Sequence, residues 1–281
     1  MAKPTKDAGI IPLRPRARSV TAAGALSLPP QGGTAPTAPT DRPAALDLSG
    51  KRKAVFLIGR GRIGKTMMGR WIAETMTNRG GSAVIGAADP LNRSLTKFLD
   101  NVVQPPSADP AETKDWLNEV LETAMVEGYN CVMDLGGGDT SLGLLLQEIP
   151  HLADVLSAGG LEPVALHIIG GTVDDLTPLA MMERAGFQPK ATAIIANEAH
   201  GRRTGFEGVL AHPVVRAALD RGAVQLWMPP LAALIAKEFD EAGWRFHDAG
   251  SRTGPFAAAA VDAWLKRMAE ELAPIATWLP E

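Results

Sequence analysis

The chain has 281 residues, a formal net charge of −3 and only one cysteine, Cys131, which excludes an intrachain disulfide. No run of about 18 apolar residues occurs, and the first residues lack the continuous apolar core of a secretory signal, so a cytoplasmic protein without a membrane span is expected. His151, His167, His200, His212 and His247 show no ligand spacing with Cys131, which excludes the common transition-metal sites.

Residues 1–52 read as a disordered basic arm. Eight of the 22 prolines fall in residues 1–50, together with the repetitive Thr34-Ala35-Pro36-Thr37-Ala38-Pro39-Thr40. Few large apolar side chains are present there to offset the entropy of ordering. Residues 1–53 carry nine Lys/Arg against three Asp, a net of +6 that leaves the rest of the chain at about −9. A basic arm on an acidic body suits nonspecific DNA, an acidic surface or a partner protein, or serves as a solubilising tail.

From residue 53 to 281 the pattern is one α/β domain. Strands are expected at 54–58, 82–88, 130–134, 163–169, 190–196 and 223–228. Helices are expected near 65–78, 111–127, 141–157, 174–186, 206–220, 231–241 and 257–273. Solid apolar strands such as Val164-Ala165-Leu166-His167-Ile168-Ile169 require helices on both faces. The fold class is therefore a single doubly wound, mostly parallel sheet, with ligand loops at the carboxyl ends of the strands.

The first of those loops is the most specific signal in the chain. Gly59-Arg60-Gly61-Arg62-Ile63-Gly64-Lys65-Thr66 fits G-x-x-x-x-G-K-[ST], between an apolar strand and a helix that continues with Met67. Glycines let backbone N–H groups converge on a phosphate chain, and the helix N-terminus adds a favourable partial charge. Lys65 is placed to reach β- and γ-phosphates, and the Thr66 hydroxyl to ligate Mg²⁺. This loop makes the chain a P-loop NTPase that binds a nucleoside triphosphate.

Three further strand ends contribute. Asp89, in Ala88-Asp89-Pro90, can orient a water for attack on the γ-phosphate or hold Mg²⁺ through water, or it is a turn residue. Asp134 ends an apolar strand where a carboxylate holds Mg²⁺ through its water shell, and Gly136, Gly137 and Gly138 let backbone approach the terminal phosphate. Asn197 ends the fifth expected strand with an amide able to pair with a purine edge, or it too is a turn residue.

The order of these motifs resembles the ParA/MinD family of deviant-Walker ATPases, which includes partition proteins, septum-site regulators and conjugal-transfer relatives. The resemblance spans roughly residues 53 to 280 and rests on the loops. Gly59, Gly61, Gly64, Lys65 and Thr66 match the family's phosphate loop. Arg60 falls on its signature lysine and Arg62 on its second central glycine. Asp89-Pro90 aligns with a D-x-D-P-Q segment whose second Asp assists hydrolysis, with Ala87 in place of the first. Asp134-Leu135-Gly136-Gly137 sits at the second switch, Asn197 at an adenine-contacting Asn, and Pro229 in the segment after the next strand.

The resemblance implies ATP and Mg²⁺ as cofactors, slow hydrolysis and an ATP-dependent homodimer in which Arg60 reaches the partner's phosphates. The implied setting is plasmid or chromosome partition, or conjugal DNA transfer. Arg202, Arg203, Arg245, Arg252, Lys266 and Arg267 are then the body's candidate DNA-phosphate contacts. Two other functions compete: a membrane- or protein-recruited regulator of septation or secretion, and a metabolic phosphoryl-transfer enzyme. The apolar stripe Val261, Trp264, Leu265, Met268 and Leu272 has a mixed-sign opposite face, which favours docking on the sheet over a membrane.

Overall fold

A computed structural model describes residues 46–88, 95–99, 102–136 and 140–281. Its strands are β1 (Arg52–Ile58), β2 (Ala83–Ala87), β3 (Val102–Val103), β4 (Asn130–Asp134), β5 (Leu161–Ile169), β6 (Ala191–Asn197) and β7 (Val224–Met228). They form one sheet in the order β3-β2-β4-β1-β5-β6-β7, and every pair is parallel. Strand order reverses at β1, whose neighbours are β4 and β5. That reversal opens a crevice beyond the carboxyl ends of these strands.

The helices are α1 (Lys65–Asn78), α2 (Pro110–Glu127), α3 (Ser141–Glu148), α4 (Leu152–Ala158), α5 (Thr177–Arg184), α6 (Glu207–Leu210), α7 (Pro213–Asp220), α8 (Ala233–Ala242), α9 (Ala249–Arg252) and α10 (Pro255–Leu272). Successive residues of a strand face opposite sides, so a sheet covered twice needs both sets apolar. In β1, Val55 and Leu57 pack with Trp71 and Ile72 of α1 and with Trp264 and Met268 of α10. Phe56 belongs to the opposite layer, with Leu117 and Leu121 of α2, Leu145 of α3 and Leu156 of α4. Burying each such side chain is worth about 1.5–3 kcal/mol.

The structure departs from the sequence expectation in four places. The edge strand β3 was not anticipated; two residues paired to Ile85 and Gly86 leave no periodic signal. The helix expected over 141–157 is two helices, because Pro150 has no N–H and disfavours helical geometry at Ile149, whose φ and ψ are −126° and 78°. The stretch 206–220 is likewise split. His212 caps α7, accepting from Val214 N at 3.3 Å, and Pro213 opens that helix. Finally, the folded body reaches back before the boundary expected at residue 53. Leu48 is 1% exposed within the core, and Trp278 Nε1 donates to Leu46 O at 2.6 Å.

α10 buries Val261, Trp264, Met268 and Leu272, and Trp264 Nε1 donates to Pro229 O at 2.9 Å. Its apolar stripe is thus used against the sheet. Among the described residues no helix is long and apolar enough to cross a membrane. Cys131 lies in β4, and burial pushes its thiol up to about 12.

Candidate functional site

The phosphate loop leaves β1 at Ile58 and enters α1 at Lys65. Gly59 has no space for a side chain: a Cβ there would stand 2.5 Å from Ile168 O. Gly64 takes a φ of 106° and offers no side chain to cap α1. The helix therefore begins with backbone N–H groups turned toward the loop, the arrangement that favours an anion. Arg62 holds a φ of 63°, the one positive φ outside glycine among the described residues. Here an arginine accepts the left-handed backbone for which glycine is suited, at a cost of order 1 kcal/mol.

Lys65 is 6% exposed, and its Nζ donates to Gly59 O at 2.9 Å and Arg60 O at 2.8 Å. The ammonium thus lies across the loop, where it can exchange carbonyl oxygens for phosphate oxygens of greater negative charge. Thr66 Oγ1 donates to Asp134 Oδ2 at 2.8 Å. Strand pairing makes that contact: Leu57 and Ala87 are both register partners of Asp134, so β4 delivers the carboxylate beside the loop. One hydroxyl and one carboxylate suit Mg²⁺, which keeps several waters and takes phosphate oxygens for the rest. Such a site needs no cluster of three acidic or histidine side chains, and none exists among the described residues.

Asn197 closes one flank of the loop. Its Nδ2 donates to Ile63 O at 2.8 Å, while its Oδ1 accepts from Ala199 N at 3.0 Å. A Cβ on Gly64 would meet that Nδ2 at 2.5 Å, so the amide is seated directly on the loop backbone. The residue expected to meet a purine is thereby also a brace, keeping one N–H and one lone pair in reserve. A cavity of about 580 Å³ opens beside it, lined by Arg62, Gly64, Met67, Asn197, Met228 and Pro229 among others. Its volume falls within the range of small-ligand sites.

Arg60 lies on the other flank. Its Nη1 is 3.6 Å from Asp175 Oδ1 and 4.0 Å from Asp174 Oδ2, and its side chain is 47% exposed. Asp175 is fixed independently, accepting from Thr172 N at 3.1 Å and Thr172 Oγ1 at 2.7 Å. This partner was not foreseen, although the Thr172-x-x-Asp175 spacing is a helix-start signature visible in the sequence. A second cavity, of about 420 Å³, lies here between Arg60, Asp174, Leu135, Leu142, Pro178 and Met182.

Beneath the loop, His167 of β5 is the register partner of Ile58. It is 1% exposed, and its Nδ1 has no hydrogen-bond partner among the described residues. Burial, with a smaller contribution from the Arg221 charge, pushes its pKa down to about 3.

Asp89, Gly137 and Gly138 lie outside the described residues. Of the arginines and lysines proposed for DNA, Arg203 is paired with Glu198 and Glu271, Arg267 with Glu198 and Lys266 with Glu270. Arg203 also lies 4.8 Å from the centre of the Trp227 ring. Sequence reasoning also missed Arg70, which is held between the Phe98 and Phe246 rings at 3.7 Å from each. Its Nε donates to the fully buried Glu74 at 2.9 Å.

The strand–loop–helix unit within an all-parallel doubly wound sheet gives the molecule the P-loop NTPase fold. No family model matches the chain, and no curated protein is significantly similar to it in sequence. Solved structures do align with it. The cell division protein FtsY of Thermotoga maritima aligns at 15% identity over 79% of this chain and 71% of its own, with a TM-score of 0.45. The signal recognition particle receptor FtsY of Elizabethkingia anophelis, in complex with GDP, aligns at 16% identity over 66% and 61%, with a TM-score of 0.43. The cell division protein MinD of Aquifex aeolicus aligns at 15% identity over 78% and 97%, with a TM-score of 0.45.

Proposed function

We propose that this protein is a ParA/MinD-like ATPase that binds ATP with Mg²⁺, dimerises in response and acts in plasmid or chromosome partition or in conjugal DNA transfer. The observation that carries the nucleotide reading is the pairing of two features at one strand end: the Lys65 ammonium across the loop carbonyls, and Thr66 hydrogen-bonded to Asp134. In this reading Lys65 neutralises the terminal phosphates, while Thr66 and, through water, Asp134 hold Mg²⁺. The metal supplies charge neutralisation between the β- and γ-phosphates. Asp89 orients the attacking water, and Gly137 approaches the γ-phosphate. The base lies in the cavity beside Asn197 and Pro229, which favours adenine over guanine through the Asn amide. Arg60 exchanges its aspartates for the partner subunit's nucleotide.

Equilibrium binding of ATP and GTP, each with Mg²⁺, tests this directly when combined with light scattering. Tight ATP binding with a shift from monomer to dimer is expected, and weaker GTP binding. Absence of binding to either nucleotide overturns the reading.

Residues 1–45 carry six Lys/Arg against two Asp, and in this proposal they are the DNA-contacting arm or the docking segment for a protein partner. A chain beginning at Leu46 retains Leu48 and should keep its fold. It should show a shallower dependence of DNA affinity on salt than the full chain, because fewer counterions are displaced. Equal slopes would move the DNA contacts onto the body.

The second cavity favours one further reading, phosphoryl transfer to a small acceptor. It lies against Gly59 and Arg60, with apolar walls from Leu135, Leu142 and Met182. Product analysis separates the two: inorganic phosphate alone supports the ATPase, and a phosphorylated metabolite supports the transferase. The membrane-recruited reading loses its helix, since the apolar stripe of α10 is buried.

A further inference from the structure

Arg245 differs from the arginines around it. It is the half-buried residue that leads into the turn Phe246–Asp248. Its Nε is closed off from solvent and has no hydrogen-bond partner among the described residues. The acids on the adjoining elements are committed elsewhere: Glu74 to Arg70 and His247, and Asp240 to Arg70. A buried donor on a permanent cation is costly to leave without an acceptor.

The side chain borders a cavity of about 220 Å³ on the α1 side of the sheet. Ala83 and Ile85 of β2 line it, as do Ala73, Met76 and Thr77 of α1, together with Phe98 and Leu99. Thr77 and Ser82 bring hydroxyls, although Thr77 already donates its hydrogen to Ala73 O at 2.8 Å. Arg245 is the only charged residue in the lining. At roughly 30 Å³ per water, the space equals about seven waters or one small organic molecule.

Charge and wall chemistry together select the ligand class. A planar guanidinium pairs with one carboxylate through parallel N–H···O bonds. A phosphate dianion would keep an uncompensated charge among apolar walls, which is unfavourable. The walls of Ala73, Met76, Ile85 and Phe98 suit an alkyl body, which gains from leaving water. We propose that this cavity is a binding site for a small aliphatic monocarboxylate, its carboxylate on Arg245 and its alkyl chain over Ile85 and Met76. The site is separate from the phosphate loop and does not depend on the nucleotide reading. It borders the C-terminal half of α1, whose first residue is Lys65, so an occupant sits in position to act as an effector of that helix.

The test uses the full chain with the methyl resonances of Met76 and Ile85 as reporters. Sodium butyrate, hexanoate and octanoate are titrated, with inorganic phosphate as the control anion. Saturable shifts of both methyls are expected with at least one acid and none with phosphate. Arg245→Met keeps the stem and removes the charge, and should weaken binding by at least about tenfold. Ala83→Leu fills the cavity from the sheet while leaving Arg245 in place, and should abolish the response. Silence of the parent chain to all three acids overturns the proposal, as does an undiminished response in both variants. An equal response to phosphate overturns the carboxylate assignment.

Discussion

The two flanks of the phosphate loop are held in different ways. On the Asn197 side the tie is a buried 2.8 Å hydrogen bond to Ile63 O, from a side chain 4% exposed. On the Arg60 side it is an ion pair of 3.6 and 4.0 Å from a half-exposed guanidinium. A buried amide resists exchange, because losing its partner leaves a polar group without water. An exposed ion pair is worth about 0–1 kcal/mol and is readily traded for a more negative partner. One flank is thus built to keep its shape and the other to change it. That division suits a loop that must grip a nucleotide and still present a charge to a second molecule.

Substitutions can break this contrast. The largest effect should come from Lys65→Ala, which removes the cation spanning both flanks. ATP affinity should fall on the order of 100-fold, equivalent to about 3 kcal/mol, with the fold retained. Isothermal titration with circular dichroism decides it, and unaltered affinity would remove the phosphate-loop assignment.

His167 beneath the loop should make the rigid side acid-sensitive. Its folded pKa of about 3 lies below the ordinary value of 6.5, so the unfolded chain takes up the proton first. The neutral, folded imidazole contributes no penalty above pH 6.5, and stability falls as pH drops from 6.5 toward 3. Between pH 7 and pH 4 the loss is about 3 kcal/mol. Urea unfolding of His167→Leu across that range should show a correspondingly shallower decline, and parallel curves would contradict the burial argument.

Asn197→Ala should cost about 1–2 kcal/mol of stability by leaving Ile63 O without its donor. It should also weaken ATP binding, whereas a base-contact role alone would lower affinity and leave the melting temperature alone. The smallest thermodynamic effect belongs to Arg60→Ala, expected within about 0.5 kcal/mol of the parent. Its consequence should appear instead in light scattering, as loss of the ATP-dependent dimer with nucleotide still bound. A large drop in stability would mean that the Arg60 flank is as rigid as the other.

Much of this architecture was readable from local pattern. The apolar run ending at Ile58, the glycine spacing and Lys65-Thr66 place the loop, because each feature acts within a few residues. The split at Pro150 was equally local, and the missing N–H should have divided the expected helix. What lay hidden depends on contacts between distant positions. The Asn197–Ile63 tie joins residues 134 apart, and the Arg60 pair depends on how β5 presents Asp175. Leu48 reads as part of a polar, proline-rich segment, and only the hollow near Trp278 gives it a buried place. Arg70 looks like an exposed helical arginine in the sequence, yet two aromatic rings from remote segments enclose it.

The chain's single cysteine has a practical consequence. Cys131 lies in the central strand β4, between β1 and β2, and its thiol stays protonated at neutral pH. An alkylating reagent needs the thiolate and a clear approach, and the native sheet denies both. Labelling of the unmodified protein therefore reports the opening of the sheet itself, without any engineered probe. Slower labelling in the presence of a ligand then measures how strongly that ligand holds the fold closed, which allows nucleotides and other small molecules to be ranked by one mass-spectrometric readout.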